Sequence, residues 1–89
     1  MHIYLVKRSD DWSYDDYDSF VCIAESEHAA QLFHPSGDYR WTGEHWESPS
    51  GYKPFGGGGW TAPSNTTVEL IGTTDSNERR IILASFNAG

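Results

Sequence analysis

The chain has 89 residues, of which 37% are hydrophobic and 15% aromatic, and its formal charge is −7. A chain this short closes one hydrophobic core and buries roughly 60% of the surface its unfolded form exposes, so it is read as a single domain, 1–89. The acidic balance excludes a direct nucleic-acid binder working by counterion release, which needs clustered Lys and Arg. The single cysteine, Cys22, excludes an intrachain disulfide.

The first β-branched and aromatic run, Ile3-Tyr4-Leu5-Val6, reads as a strand that ends where Lys7-Arg8-Ser9-Asp10 bring charge and turn formers. Residues 9–18 are polar and rich in Asp and fit a loop. Five of the acidic residues fall here, Asp10, Asp11, Asp15, Asp16 and Asp18. They form either a solvated acidic loop or a mimic of nucleic acid that engages a basic protein surface. A second strand is expected over Ser19–Ala24. Its continuous apolarity suggests a central place with both faces covered, and Cys22 within it reads as a small core hydrophobe.

Ser26 opens a short helix over Glu27–Phe33, with Ser26 as N-cap, Glu27 favoured by the helix dipole, and Pro35 and Gly37 as stop signals. Ala29, Ala30 and Phe33 form the stripe by which so short a helix lies on a sheet. From Asp38 to Asn65 aliphatic residues vanish, and Trp41, Trp46, Tyr52, Phe55 and Trp60 carry nearly all the apolar area. A loop of this length in a small domain is commonly functional, and its aromatics argue against disorder. Two further strands are expected at Thr66–Ile71 and Ile81–Phe86, joined by Gly72–Glu78 as a polar hairpin loop. The order β-β-α-long insert-β-β predicts an α+β fold, a small antiparallel sheet of about four strands with one short helix on a face.

With aliphatics scarce, stability leans on rings that each remove about 150–250 Å² from water. A monomer built this way is marginal, and a homo-oligomer is the expected remedy. Met1–Lys7 is too short and too soon charged for a signal peptide, and no run approaches a membrane span, so a cytoplasmic protein without membrane contact is expected.

Four histidines, His2, His28, His34 and His45, lack the spacing of a helical metal clip, and no metal or cofactor is expected. Glu44 and Glu47 flank Trp46 without any sign of the desolvation that separates an acid from a base. The run Gly56–Gly59 lacks the Lys-Ser/Thr ending and the following helix of a phosphate loop; it supplies backbone that can approach a ligand closely or pivot. The chemistry-bearing set is Arg40, Trp41, Trp46, Lys53 and Trp60: rings that can stack on a nucleobase and cations that can meet phosphate. Tyr17, Asp18 and Asn87 are candidates to read a base or ribose edge. The same rings fit a protein interface or the domain's own core equally well.

The stretches Ile3–Val6, Asp15–Val21, Ser26–Ala30 running to His34-Pro35, Val68–Gly72 and Ala84–Gly89 resemble small proteins of unknown role encoded by tailed bacteriophages. The middle of the chain carries no part of this resemblance. It implies a viral origin, a place in the cytoplasm of the infected bacterial host and, for a small acidic protein without enzyme motifs, inhibition of anti-phage defence. Two mechanisms then compete: sequestration of a nucleotide-derived immune signal in an aromatic pocket, and blockade of a defence protein such as a CRISPR effector by the aspartate patch. A small phosphodiesterase or nuclease with a histidine base is the third reading.

Overall fold

A computed structural model describes residues 1–10 and 16–87, with the side chains of Phe86 and Asn87 left undescribed. Two strands come first, β1 (His2–Arg8) and β2 (Asp16–Ala24), followed by a helix α1 (Glu27–Gln31). The insert holds a two-stranded ladder, β3 (Arg40–Trp41) with β4 (Trp46–Glu47), and the chain ends with β5 (Thr66–Thr73) and β6 (Arg80–Asn87). The four long strands form one antiparallel sheet in the order β5-β1-β2-β6. The expected α+β architecture, four antiparallel strands with one short helix on a face, is therefore present, with the small β3-β4 sheet added to it. Among the described residues no helix is long and apolar enough to cross a membrane.

Strand alternation sorts side chains to two faces. Tyr4, Val6, Phe20, Cys22 and Ala24 face α1 and the insert and make the core with Ala30, Trp46 and Trp60. Burial pushes the Cys22 thiol up to about 12, so it stays protonated and packs as a hydrophobe. The helix begins as its sequence predicts: Ser26 Oγ accepts from the Ala29 amide at 3.1 Å, and Ala30 is fully buried with Ala29 and Phe33 packed beside it. It stops at Gln31, short of Phe33.

Three expectations change. β2 starts at Asp16, inside the segment read as loop, so Asp16 and Asp18 belong to a strand. β2 is central, but its second face is only partly covered: Ile23 is buried whereas Val21 is half-buried. Residues 74–79 are not a hairpin loop, because β5 and β6 occupy opposite edges of the sheet. The edges lie three strand spacings apart, about 14 Å, and six residues extended reach about 20 Å, so this link crosses the ends of β1 and β2. It is tied there by Thr74 N–H to Met1 O, 3.0 Å, and by Arg79 to the Glu25 carboxylate.

Candidate functional site

The insert is held in place by a buried histidine. His34 is 1% exposed and lies beyond the helix, among the rings of Tyr17, Tyr39 and Trp46, each meeting it edge to face. The Ser36 amide donates to Nδ1 at 3.1 Å, so Nδ1 carries a lone pair and Nε2–H donates to Gly57 O at 2.7 Å. Burial holds its pKa below the usual 6.5, which keeps the ring neutral and this pairing intact.

That bond explains the glycine run. Gly56 to Gly59 all lie at positive φ, +62° to +80°, a left-handed turn that L-residues resist. It brings Gly57 O to His34 and Gly59 O to the Tyr17 amide, 2.8 Å away. The turn is pinned by these two hydrogen bonds, and it leaves Phe55 at its tip 99% exposed.

At the other end of the insert, Arg8 donates to both Asp10 oxygens, at 2.7 and 3.1 Å, and to Tyr17 O at 3.2 Å, with its guanidinium 5.9 Å from the Trp60 ring centroid. Thr61 Oγ1 donates to Asp10 Oδ2 at 2.7 Å. The Arg8 hydrogen bonds, aided by Thr61, hold the Asp10 carboxyl below its usual range. Asp10 thus staples the end of β1 to the insert. Of the remaining acidic candidates, Asp18 accepts from Ser19 Oγ at 3.0 Å and Asp16 stands 3.9 Å from Arg8, while Asp11 and Asp15 lie outside the described residues.

Between these anchors is a surface pocket of about 280 Å³ whose walls include Trp41, Glu44, His45, Lys53 and Pro54, with Trp46 and Trp60 beneath. Four of the candidate ligand residues, Trp41, Trp46, Lys53 and Trp60, therefore converge. Trp46 and Trp60 are 2% and 4% exposed and act mainly as floor and core. Trp46 Nε1–H donates to Thr61 O at 2.9 Å, which fixes the floor. Trp41 is half-buried, packs edge to face on Trp46, and also borders a second pocket of about 390 Å³ beside His28 and Gln31.

Arg40 is not at the pocket: it points outward and pairs with Glu47 at 3.1 Å. Tyr17 packs against His34 and Asp18 borders a separate pocket with Lys7, so neither joins the Trp41 site, and the Asn87 side chain lies outside the described residues. Glu47 also meets His45 Nε2 at 3.3 Å. When neutral with Nε2–H donated to Glu47, His45 has Nδ1 as an acceptor. Lys53 is exposed and has no ion-pair partner among the described residues. Sequence reasoning missed the parts of His34, Glu44, His45 and Pro54 here. A histidine followed by proline past a helix end gave no local sign that it would become the hub of three rings.

Among the described residues no cluster of three or more His, Cys, Asp or Glu could hold a metal ion. No family model, curated protein or solved structure matches the chain.

Proposed function

We propose that the chain is a non-enzymatic binding protein that takes a small nucleotide-like ligand in the pocket beside Trp41, and that it serves a phage by withdrawing a nucleotide-derived signal of bacterial defence. The viral setting rests on the resemblance carried by the chain's ends. The ligand class rests on one observation: an accessible indole, Trp41, and an unpaired cation, Lys53, wall the same pocket. A flat ring stacks on the indole, an anionic group meets the ammonium, and the Nδ1 acceptor of His45 reads an exocyclic amine. The volume is at the lower limit of roughly 300 Å³ for ligand sites, which favours one base with one phosphate over a dinucleotide held by a single chain.

The test is titration of the full chain with mononucleotides, cyclic nucleotides and ADP-ribose-type compounds, followed by heating to recover the ligand. Saturable binding with intact ligand released is expected. Stacking contributes about 1–3 kcal/mol per base, so Trp41→Ala weakens binding about tenfold or more, and Lys53→Gln weakens it less. No binding at millimolar ligand, or ligand consumed rather than returned, defeats the reading.

A further inference from the structure

The second face of the sheet carries three cross-strand rows, interrupted by bulges at Asp18, Ile71 and Ile82. The strand registers align Glu69-Leu5-Val21-Leu83 as its central row, from the β5 edge to the β6 edge. One flanking row is Gly72-Ile3-Ile23-Arg80 and the other is Thr67-Lys7-Ser19-Ser85. The helix and insert pack on the opposite face; on this one Leu83 is 66% exposed, Ile3, Leu5 and Val21 are half-buried, and Ile23 is already covered. Its middle is aliphatic in a chain poor in aliphatics. The charged residues of the three rows are Lys7, Arg80 and Glu69, and none has an ion-pair partner among the described residues. With Asp18, which borders the Lys7 end of this face, two cations and two anions leave the surface close to neutral on a molecule of charge −7.

We infer that a second copy of this chain covers this face, sheet against sheet, about a two-fold axis parallel to the strands. Four strands about 4.8 Å apart and about seven residues long give a footprint of roughly 450 Å², and a corrugated surface of that footprint approaches the roughly 600 Å² per partner at which specific interfaces begin. Near-neutrality lets two acidic molecules approach here when their other surfaces repel.

The axis follows from the rows. Rotation about a line parallel to the strands lays each row on the same row of the partner and β5 over the partner's β6. Leu5 then meets Val21, and Glu69 lies one row from Arg80, within reach of two long side chains, twice per dimer. Rotation about a line across the strands instead sets Glu69 on Glu69 and the aliphatic flanking row on the Lys7 row. Both arrangements lay aliphatic on aliphatic in the middle of the central row; the first sets Glu69 over the partner's Leu83 with an arginine one row away, the second stacks Glu69 on Glu69, and this charge pairing selects the first.

Sedimentation equilibrium of the full chain between micromolar and near-millimolar concentration tests this. Twice the chain mass is expected, and Leu83→Asp, at a side chain that the monomer leaves exposed, shifts the dissociation constant at least tenfold with the far-ultraviolet spectrum unchanged. Glu69→Arg dissociates the dimer, and Glu69→Arg with Arg80→Glu restores it; this pair decides the matter even where the aspartate variant folds poorly. A monomer throughout, whatever else then binds the face, overturns the inference, as does a dimer indifferent to these changes. A dimer lost on Phe55→Asp, on the far side of the sheet, overturns it too.

Discussion

A methyl group at Gly58 would stand 2.9 Å from His34 Nε2 and 3.0 Å from a Tyr39 ring carbon, whereas at Gly56 it would meet nothing within 4 Å. Both residues have φ in the left-handed region, +68° and +62°, so both pay the same backbone strain when replaced by alanine. That strain is about 1–2 kcal/mol for an L-residue. The collision at Gly58 falls on the His34 ring, held by hydrogen bonds, and on the Tyr39 ring packed edge to face against it, neither of which steps aside as a flexible chain end does. Gly58→Ala is therefore expected to cost about 3 kcal/mol and Gly56→Ala about 1 kcal/mol in urea unfolding. Equal losses would mean that the glycine turn is not clamped on His34. The pocket depends on this clamp, since Gly57 lies both under the Trp46 ring and in the pocket wall.

At the scale of elements, the five-residue helix is too short to persist by propensity and is held by its cap and by Ala30. Ser26→Ala removes the acceptor of the Ala29 amide and should lower the urea midpoint by the equivalent of about 1 kcal/mol; Glu27→Gln, which keeps the cap, should change it by less than half of that. Such a helix was legible because a cap, a first-turn acid and an apolar stripe are local signals. The four strands were legible for the same reason. Their order was not. A polar link of six residues between two strands reads alike whether it turns back as a hairpin or crosses the sheet, and what decides is that β1 and β2 pair first and leave only the outer edges. The insert shows a second limit. Its rings were visible as the source of apolar area, yet which of them line a pocket depends on His34 and the glycine turn. Trp46 and Trp60 went to the core, Trp41 stayed at the surface, and Arg40 was drawn out of the pocket by Glu47 on the paired strand.

The whole molecule is a sheet whose core face is closed by one short helix and a ring-rich insert, with the insert fastened at two ionisable groups, His34 at one end and Asp10 at the other. Their titrations should appear in the stability of the entire domain. Burial keeps the folded His34 below 6.5, while the unfolded ring titrates at its ordinary value, so the unfolded chain holds more protons between the two. The stabilisation is complete above about 6.5 and is lost as pH falls toward the depressed folded value. The Asp10 carboxyl is held below 3.8 by Arg8, so its contribution is present above that value and is lost as pH falls through the lowered one. Acidification should thus weaken the fold in two steps, His34 first and Asp10 second. Urea midpoints measured from pH 8 to about pH 2 check this. His34→Gln should flatten the upper step and leave the lower, Asp10→Asn should do the reverse, and a single step untouched by either would show that neither end of the insert governs global stability.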